Sequence, residues 1–275
     1  MKTLANHQIL FDAECPMCRI YTRAIVSKGI LDQKGRMAYQ DLSEQACPMV
    51  DRQRAANEIA LVNQETGEVT YGIHSLFKVF GVAVPALKPL FAFKPFVWLM
   101  SRLYFFISYN RRVIIPAKYT HTAGQIQPAF RLDYRIAYLL ITWFITAFIL
   151  SAYTTLMAGL LPSGLSNREY LVCGGQVFFQ GIIIYFLYKN KAWDYLGNMM
   201  TISFAGALAL LPGLIVAGFT KLDPIFYAVW FMAVAGAMFL EHIRRTRLLE
   251  LGWTLTFTWL FYRVAILLLI LTHLL

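Results

Sequence analysis

A chain of 275 residues that is 58% hydrophobic and only 15% charged, with a mean hydropathy of +0.54, is too apolar for one ordinary soluble domain. The excess is uneven, since 27 of the 40 charged residues lie in residues 1–135 and the remaining 140 residues carry 13. The net charge of +10 forms no long basic tract and falls largely beside the hydrophobic spans, which points to membrane topology rather than nucleic acid.

The N-terminal MKTLANHQILFDAEC has no apolar signal core, because Asn6, His7 and Asp12 interrupt it, so the first domain is not expected to be exported. His7–Asp12 reads as a short strand. Pro16–Gly29 follows as a helix with Met17, Ile20, Tyr21, Ala24 and Ile25 at helical spacing and Gly29 at its end. Arg36–Leu42 alternates like a strand, and the polar stretch Ser43–Ala56 suits an exposed helix. Asn57–Asn63 and Glu68–Gly72 are two strands around Gln64-Glu65-Thr66-Gly67, a hairpin signal, and His74–Val82 reads as a helix. The order β-α-β-α-β-β-α is the minimal thioredoxin or glutaredoxin core, an α/β fold.

Residues 85–108 are apolar but broken by Pro85, Pro89, Pro95, Lys88, Lys94 and Arg102, so they are expected to form an interfacial helix from about Phe96. The first domain is thus placed at 1–112 and a polar linker at 113–133. Five apolar spans then fill residues 134–275: Tyr134–Leu161, Tyr170–Tyr188, Trp193–Phe219, Pro224–Leu240 and Gly252–Leu275, an all-α membrane domain. Ten basic residues border the first span's start and the second-to-third and fourth-to-fifth loops, against two, Arg168 and Lys221, in the alternate loops. That bias orients the N-terminal domain toward the cytoplasm and the C-terminus outward.

The chemistry centres on Cys15-Pro16-Met17-Cys18, a C-x-x-C at the junction of strand and helix. Cys15 would sit where unpaired N–H groups and the helix dipole favour a thiolate, and Pro16 suits the first turn because it has no N–H to leave unpaired. Cys18, one turn on and expected to be the more buried, would resolve a mixed disulfide. Asp12 would accept a proton from the resolving thiol or simply end the strand. The competing reading is half a zinc site, for which Cys47, His7, His74 and His121 are scattered singles without partner spacing. Cys47 is otherwise a small hydrophobe on a helix, and Cys173 stands alone in the second span. Gln176 and Gln180 suit inter-helix hydrogen bonding, Glu241 and Arg244 share a face, and His242 is expected at the interface. Arg263, about twelve residues from either end of the last span, calls for a partner such as Glu241 or Asp194, or for snorkelling.

At Asp12-Ala13-Glu14-Cys15-Pro16-Met17-Cys18 the chain resembles the DCC family of thiol-disulfide oxidoreductases, named for a D-x-x-C-x-x-C motif. The resemblance continues in VTYGIHSLFKVFG (69–81), ends at YNRR (109–112), covers about residues 7–112, and includes none of the spans. It implies a thioredoxin-like fold and a redox activity; together with the reading of the residues above, Cys15 is the expected nucleophile, Cys18 the resolving thiol and Asp12 a proton acceptor or strand end, with no cofactor required. The expected protein is a multi-pass membrane protein with a cytoplasmic dithiol, acting on a protein or small-molecule disulfide, with a membrane-protein partner at the bilayer and no nucleic acid. Two rival functions remain: a transport or lipid-handling protein with a redox-sensing domain, and a non-catalytic assembly module.

Overall fold

The computed structural model describes residues 3–42, 49–117, 126–162, 164–165 and 167–274. It divides into two compact units, Met1–Tyr134 and Arg135–Leu275.

The first unit is a four-stranded mixed sheet flanked by helices. Strands β1 (His7–Phe11), β2 (Arg36–Ala38), β3 (Ala60–Asn63) and β4 (Val69–Tyr71) lie in the order β2-β1-β3-β4. β1 and β2 are parallel, joined by helix α1 (Pro16–Ser27), whereas β3 is antiparallel to β1 and to β4. The register pairs Ile9 with Arg36 on one side and with Leu61 on the other, which puts β1 at the centre of the sheet. Its Ile9 and Leu10 are almost wholly buried, one in each of the two cores that sandwich the sheet, as the period-2 alternation of a strand requires.

The expected element order is present, with local departures. Ile20 and Ala24 of α1 face outward, and Cys18, Thr22, Ile25 and Val26 form the buried face. Only Arg36–Ala38 of the expected second strand is extended, followed by a 3-10 turn over Tyr39–Asp41. Residues 43–48, including Cys47, lie outside the described residues. Past them, the helix expected over Ser43–Ala56 is a short α2 (Arg52–Asn57), whose start is set by Asp51 accepting a hydrogen bond from the Arg54 N–H at 2.9 Å. At the start of α3 (Ile73–Ala83), Gly72 has φ of +63°, and a Cβ there would run into the Glu58 carboxylate, so glycine is required twice over.

Residues 85–114 form a 3-10 turn, a short α4 (Lys88–Ala92) and a long α5 (Lys94–Ile114), the whole bent by 91°. The bend follows from Pro89 and Pro95, each at the start of a helical segment. Residues Asn110, Arg111 and Val113 at the far end of α5 are buried in the first unit.

The second unit is all helical: α6 (Leu132–Thr154, which begins just before the unit boundary), α7 (Arg168–Tyr188), α8 (Ala192–Phe219), α9 (Pro224–Leu248) and α10 (Thr254–Leu271). Among the described residues four stretches are long and apolar enough to cross a membrane, one of them the 52-residue Arg168–Phe219. That stretch is broken at Lys189–Lys191 and folds back, because Tyr195 donates its hydroxyl hydrogen to Gln180 Oε1 at 2.9 Å. An unbroken helix would carry those two residues about 22 Å apart at 1.5 Å per residue. α7 and α8 are therefore separate arms, and the expected five spans correspond to α6–α10. Helix packing is close: a Cβ on Gly206 of α8 would collide with Met238 of α9.

Two polar residues of this unit are held among its helices. His242 is 1% exposed; it meets the Tyr195 hydroxyl at 3.2 Å and the Thr256 hydroxyl at 3.3 Å and stacks on Trp259. Arg263 meets neither expected carboxylate, because Glu241 is taken by Arg244 and Arg245 and Asp194 by Arg135. It donates instead to Ser203 Oγ at 3.4 Å and lies over the Trp259 ring, 4.1 Å from its centroid. The glutamines behave as expected only in part. Gln180 bonds Tyr195 and Thr258, whereas Gln176 Nε2 has no partner among the described residues.

Candidate functional site: a buried dithiol with an arginine–aspartate pair

Cys15 is the N-cap of α1. Its backbone is extended (φ −87°, ψ 112°), Pro16 follows at the first helical position, and Cys15 Sγ accepts the Cys18 backbone N–H at 3.4 Å. A sulfur in that place receives one of the N–H groups that a helix start leaves unpaired, so it is held best as an anion.

These contacts move the two sulfurs apart in acidity. Cys15 is brought down to about 7, first by the hydrogen bond from the Cys18 thiol, then by the Cys18 N–H and the positive charge of Arg111, with burial and Asp12 opposing. Cys18 is pushed up, because its proton is held in the bond to Cys15, because it is buried, and because ionising it would set two anions side by side. Tyr21, whose own pKa is raised chiefly by burial, hydrogen-bonds to the Cys18 sulfur. The expected division, a thiolate at Cys15 and a retained proton at Cys18, is the one this geometry favours.

Both sulfurs are closed to water. Cys15 is 1% exposed and Cys18 7%, and Cys18 rather than Cys15 lines a cavity of about 360 Å³. The cause is local: Cys15 packs with Phe11, Cys18 and Ala38 at the end of the central strand, whereas Cys18 points past Met17 and Tyr21 toward α5.

Asp12, also buried, ends β1. Its Oδ1 accepts from the Glu14 N–H at 3.0 Å and from Gln40 Nε2 at 2.9 Å, and its Oδ2 accepts from Arg111 Nη2 at 2.9 Å. These bonds run to donors and none to a sulfur, so Asp12 shapes the turn into α1 and anchors Arg111. Arg111, 4% exposed, also donates to the Ala56 and Asn57 carbonyls at 2.7 and 3.0 Å, capping the C-terminus of α2. It therefore ties α5, α2 and the dithiol turn together. Spacing alone does not single out Arg111, 99 residues from Asp12; the paired arginines of YNRR were the only signal, and they came with the family resemblance.

His7 and His74 stand apart from the dithiol, at the start of β1 and on the exposed side of α3, while Cys47 and His121 lie outside the described residues. Among the described residues no group of three His, Cys, Asp or Glu side chains stands close enough to share a metal ion. Cys173 lies on α7 in the second unit.

Comparison with protein families matches residues 9–115 to the DCC1-like thiol-disulfide oxidoreductases. Comparisons with curated proteins and with solved structures return no match. The match begins in β1, takes in the dithiol and ends just past α5, so that it includes both Asp12 and Arg111. Residues 9–115 thus match the DCC1-like thiol-disulfide oxidoreductase family, in a chain whose C-terminal part contains, among the described residues, helices apolar enough for a membrane.

Proposed function

We propose that this chain is a membrane-anchored thiol-disulfide oxidoreductase that reduces a disulfide with the Cys15–Cys18 dithiol. The observation that carries the reading is Cys15 Sγ at a helix start, accepting the Cys18 backbone N–H at 3.4 Å, with Cys18 one turn on. The Cys15 thiolate attacks one sulfur of the substrate, a mixed disulfide forms, and the first substrate thiolate leaves. Cys18 then attacks the Cys15 sulfur, which closes the Cys15–Cys18 disulfide; its proton goes to the second substrate sulfur, which leaves as a thiol, while the first substrate thiolate takes its proton from water. One dithiol is oxidised and one disulfide reduced. Arg111 supports the anionic stages, and Asp12 holds Arg111 in place.

Loop charge supports a cytoplasmic dithiol: ten basic residues border the loops on its side against two on the other. Cytoplasmic thiols are kept reduced, which suits electron donation better than disulfide insertion. The experiment is trapping in the full-length membrane protein. Cys18→Ser should accumulate a mixed disulfide on Cys15, and Cys15→Ser should accumulate none and should lose reduction of a small disulfide. No adduct in either variant, together with stoichiometric zinc on the purified protein, would replace the redox reading with a metal site.

A further inference from the structure

The cavity beside Cys18 has a chemical character of its own. Its 360 Å³ lies within the roughly 300–1,000 Å³ typical of small-molecule sites, and its wall is mostly apolar, with Met17, Leu76, Met100, Leu103 and Ile107, while Asp12, Glu58 and Arg111 also line it. Two sulfur-bearing neighbours, Cys18 and Met17, bring it to the dithiol. The opposite wall is α5, and there Leu103 and Ile107, one helical turn apart, are 46% and 43% exposed while also lining the cavity. They therefore form its rim.

That rim continues an apolar surface. Leu99 lies one turn before Leu103 and is half exposed, Trp98 beside it is 63% exposed, and Phe93, Leu90 and Leu87 extend the surface across the bend. Lys88, Lys94 and Arg102 are interspersed and exposed. An exposed apolar stripe with a tryptophan and flanking basic residues, on an element bent through 91°, has the composition of a segment seated in the headgroup region of a bilayer. The side chains that would face lipid are thus continuous with those that open onto the dithiol.

We infer that the cavity is an apolar substrate pocket opening toward the bilayer along α5, and that the dithiol's substrate is a disulfide carrying an apolar group that partitions into the membrane. This rests on the proposed dithiol chemistry and goes beyond it by naming the substrate class and the route. The apolar group fills the cavity against Leu76, Met100 and Ile107, and its disulfide lies at the Cys18 end of the cavity, where opening of the site must bring it onto Cys15 Sγ for the first attack. The exchange is the one already balanced above: one protein dithiol and one substrate disulfide give one protein disulfide and two substrate thiols.

The test uses the full-length protein, reduced and reconstituted in lipid nanodiscs, in single turnover with two probes: dioctyl disulfide and bis(2-hydroxyethyl) disulfide. The quantity read is the ratio of their second-order rate constants, apolar over hydrophilic. Wild type should favour the apolar probe at least tenfold. Leu103→Gln and Ile107→Gln, measured in the same nanodiscs so that lipid partitioning is identical, should compress the ratio at least threefold. Leu76→Trp, which fills the pocket from its opposite side, should do the same. A ratio untouched by all three variants, or no preference in wild type, overturns the inference while leaving the dithiol reading in place. Failure to reduce either probe in wild type, with Cys15 freely titrating, overturns the dithiol reading and the inference with it.

Discussion

Arg111 donates from Nη2 to Asp12 Oδ2 at 2.9 Å, and both side chains are at most 5% exposed, so the last turns of α5 are joined to the end of the central strand by an ion pair closed to solvent. Removing one member of such a pair costs far more than the pair itself contributes, because the other charge is left uncompensated. Arg111→Met should therefore destabilise the first unit by about 3–5 kcal/mol, nearer the lower end because Gln40 and the Glu14 N–H still serve Asp12. Amide exchange of β1 and α2 would read the loss. Adding Asp12→Asn to Arg111→Met should recover part of it, and a double variant no better than the single would show that the two side chains are not coupled.

The same pair tunes Cys15 in opposite directions, Arg111 lowering its pKa and Asp12 raising it. Because Cys15 is depressed to about 7, its thiolate population rises with pH through that value. At pH 6 the alkylation rate should be about a tenth of its plateau, and the midpoint should lie well below the ordinary thiol value of about 8.5. Burial lowers the absolute rate by the fraction of time the site is open, without moving the midpoint. Iodoacetamide labelling of the folded protein against pH, followed by peptide mass spectrometry, gives the curve; Cys15 should be modified before Cys18. Arg111→Gln should shift the midpoint up and Asp12→Asn should shift it down. A midpoint near 8.5 in wild type would mean that Cys18 does not hydrogen-bond the thiolate.

What the sequence showed of this site follows from distance along the chain. Cys15, Pro16 and Cys18 were legible because helix-start chemistry is local, set by which residues stand within one turn of the first N–H groups. The sheet was legible for the same reason, from alternation in His7–Phe11 and from the turn residues before Gly67. Arg111 was not, because its role depends on α5 crossing back to β1 and α2, and no periodicity within α5 encodes which of its arginines will arrive there. That Cys18 rather than Cys15 lines a cavity was not legible on similar grounds, because it is decided by Phe11 and Ala38 on the sheet and by the space that α5 leaves beside Cys18.

Topology can be tested apart from the chemistry. Reporter fusions after Phe80 and Lys191 should report the cytoplasm, and fusions after Arg168 and Leu275 the far side, if the ten-to-two bias in loop charge governs insertion. The bent segment Pro85–Ala92 and Lys94–Ile114 is apolar enough to count as a further span. A cytoplasmic report at Leu275 would show that it crosses the membrane, which would also invert the expected side of every later loop.

Arg263 offers a test of charge inside the spans. Its described partners are a hydroxyl at 3.4 Å and an indole face, with no carboxylate within ion-pair distance. An intramembrane arginine costs at least ~2.5 kcal/mol on insertion scales, and a desolvated cation–π contact returns up to about 2 kcal/mol. The two nearly cancel, so Arg263→Met should leave folding and expression close to wild type or slightly improved. Arg245 is the internal control, since it donates to Glu241 Oε1 at 2.7 Å and to Asn198 Oδ1 at 2.9 Å. Arg245→Met leaves Asn198 without its donor and should cost more. Thermal stability of the detergent-purified variants ranks them. If Arg263→Met falls as far as Arg245→Met, then Arg263 serves an acceptor beyond Ser203. The unpartnered Arg263 Nε, Gln176 Nε2 and Trp259 Nε1 would then be the donors to map next.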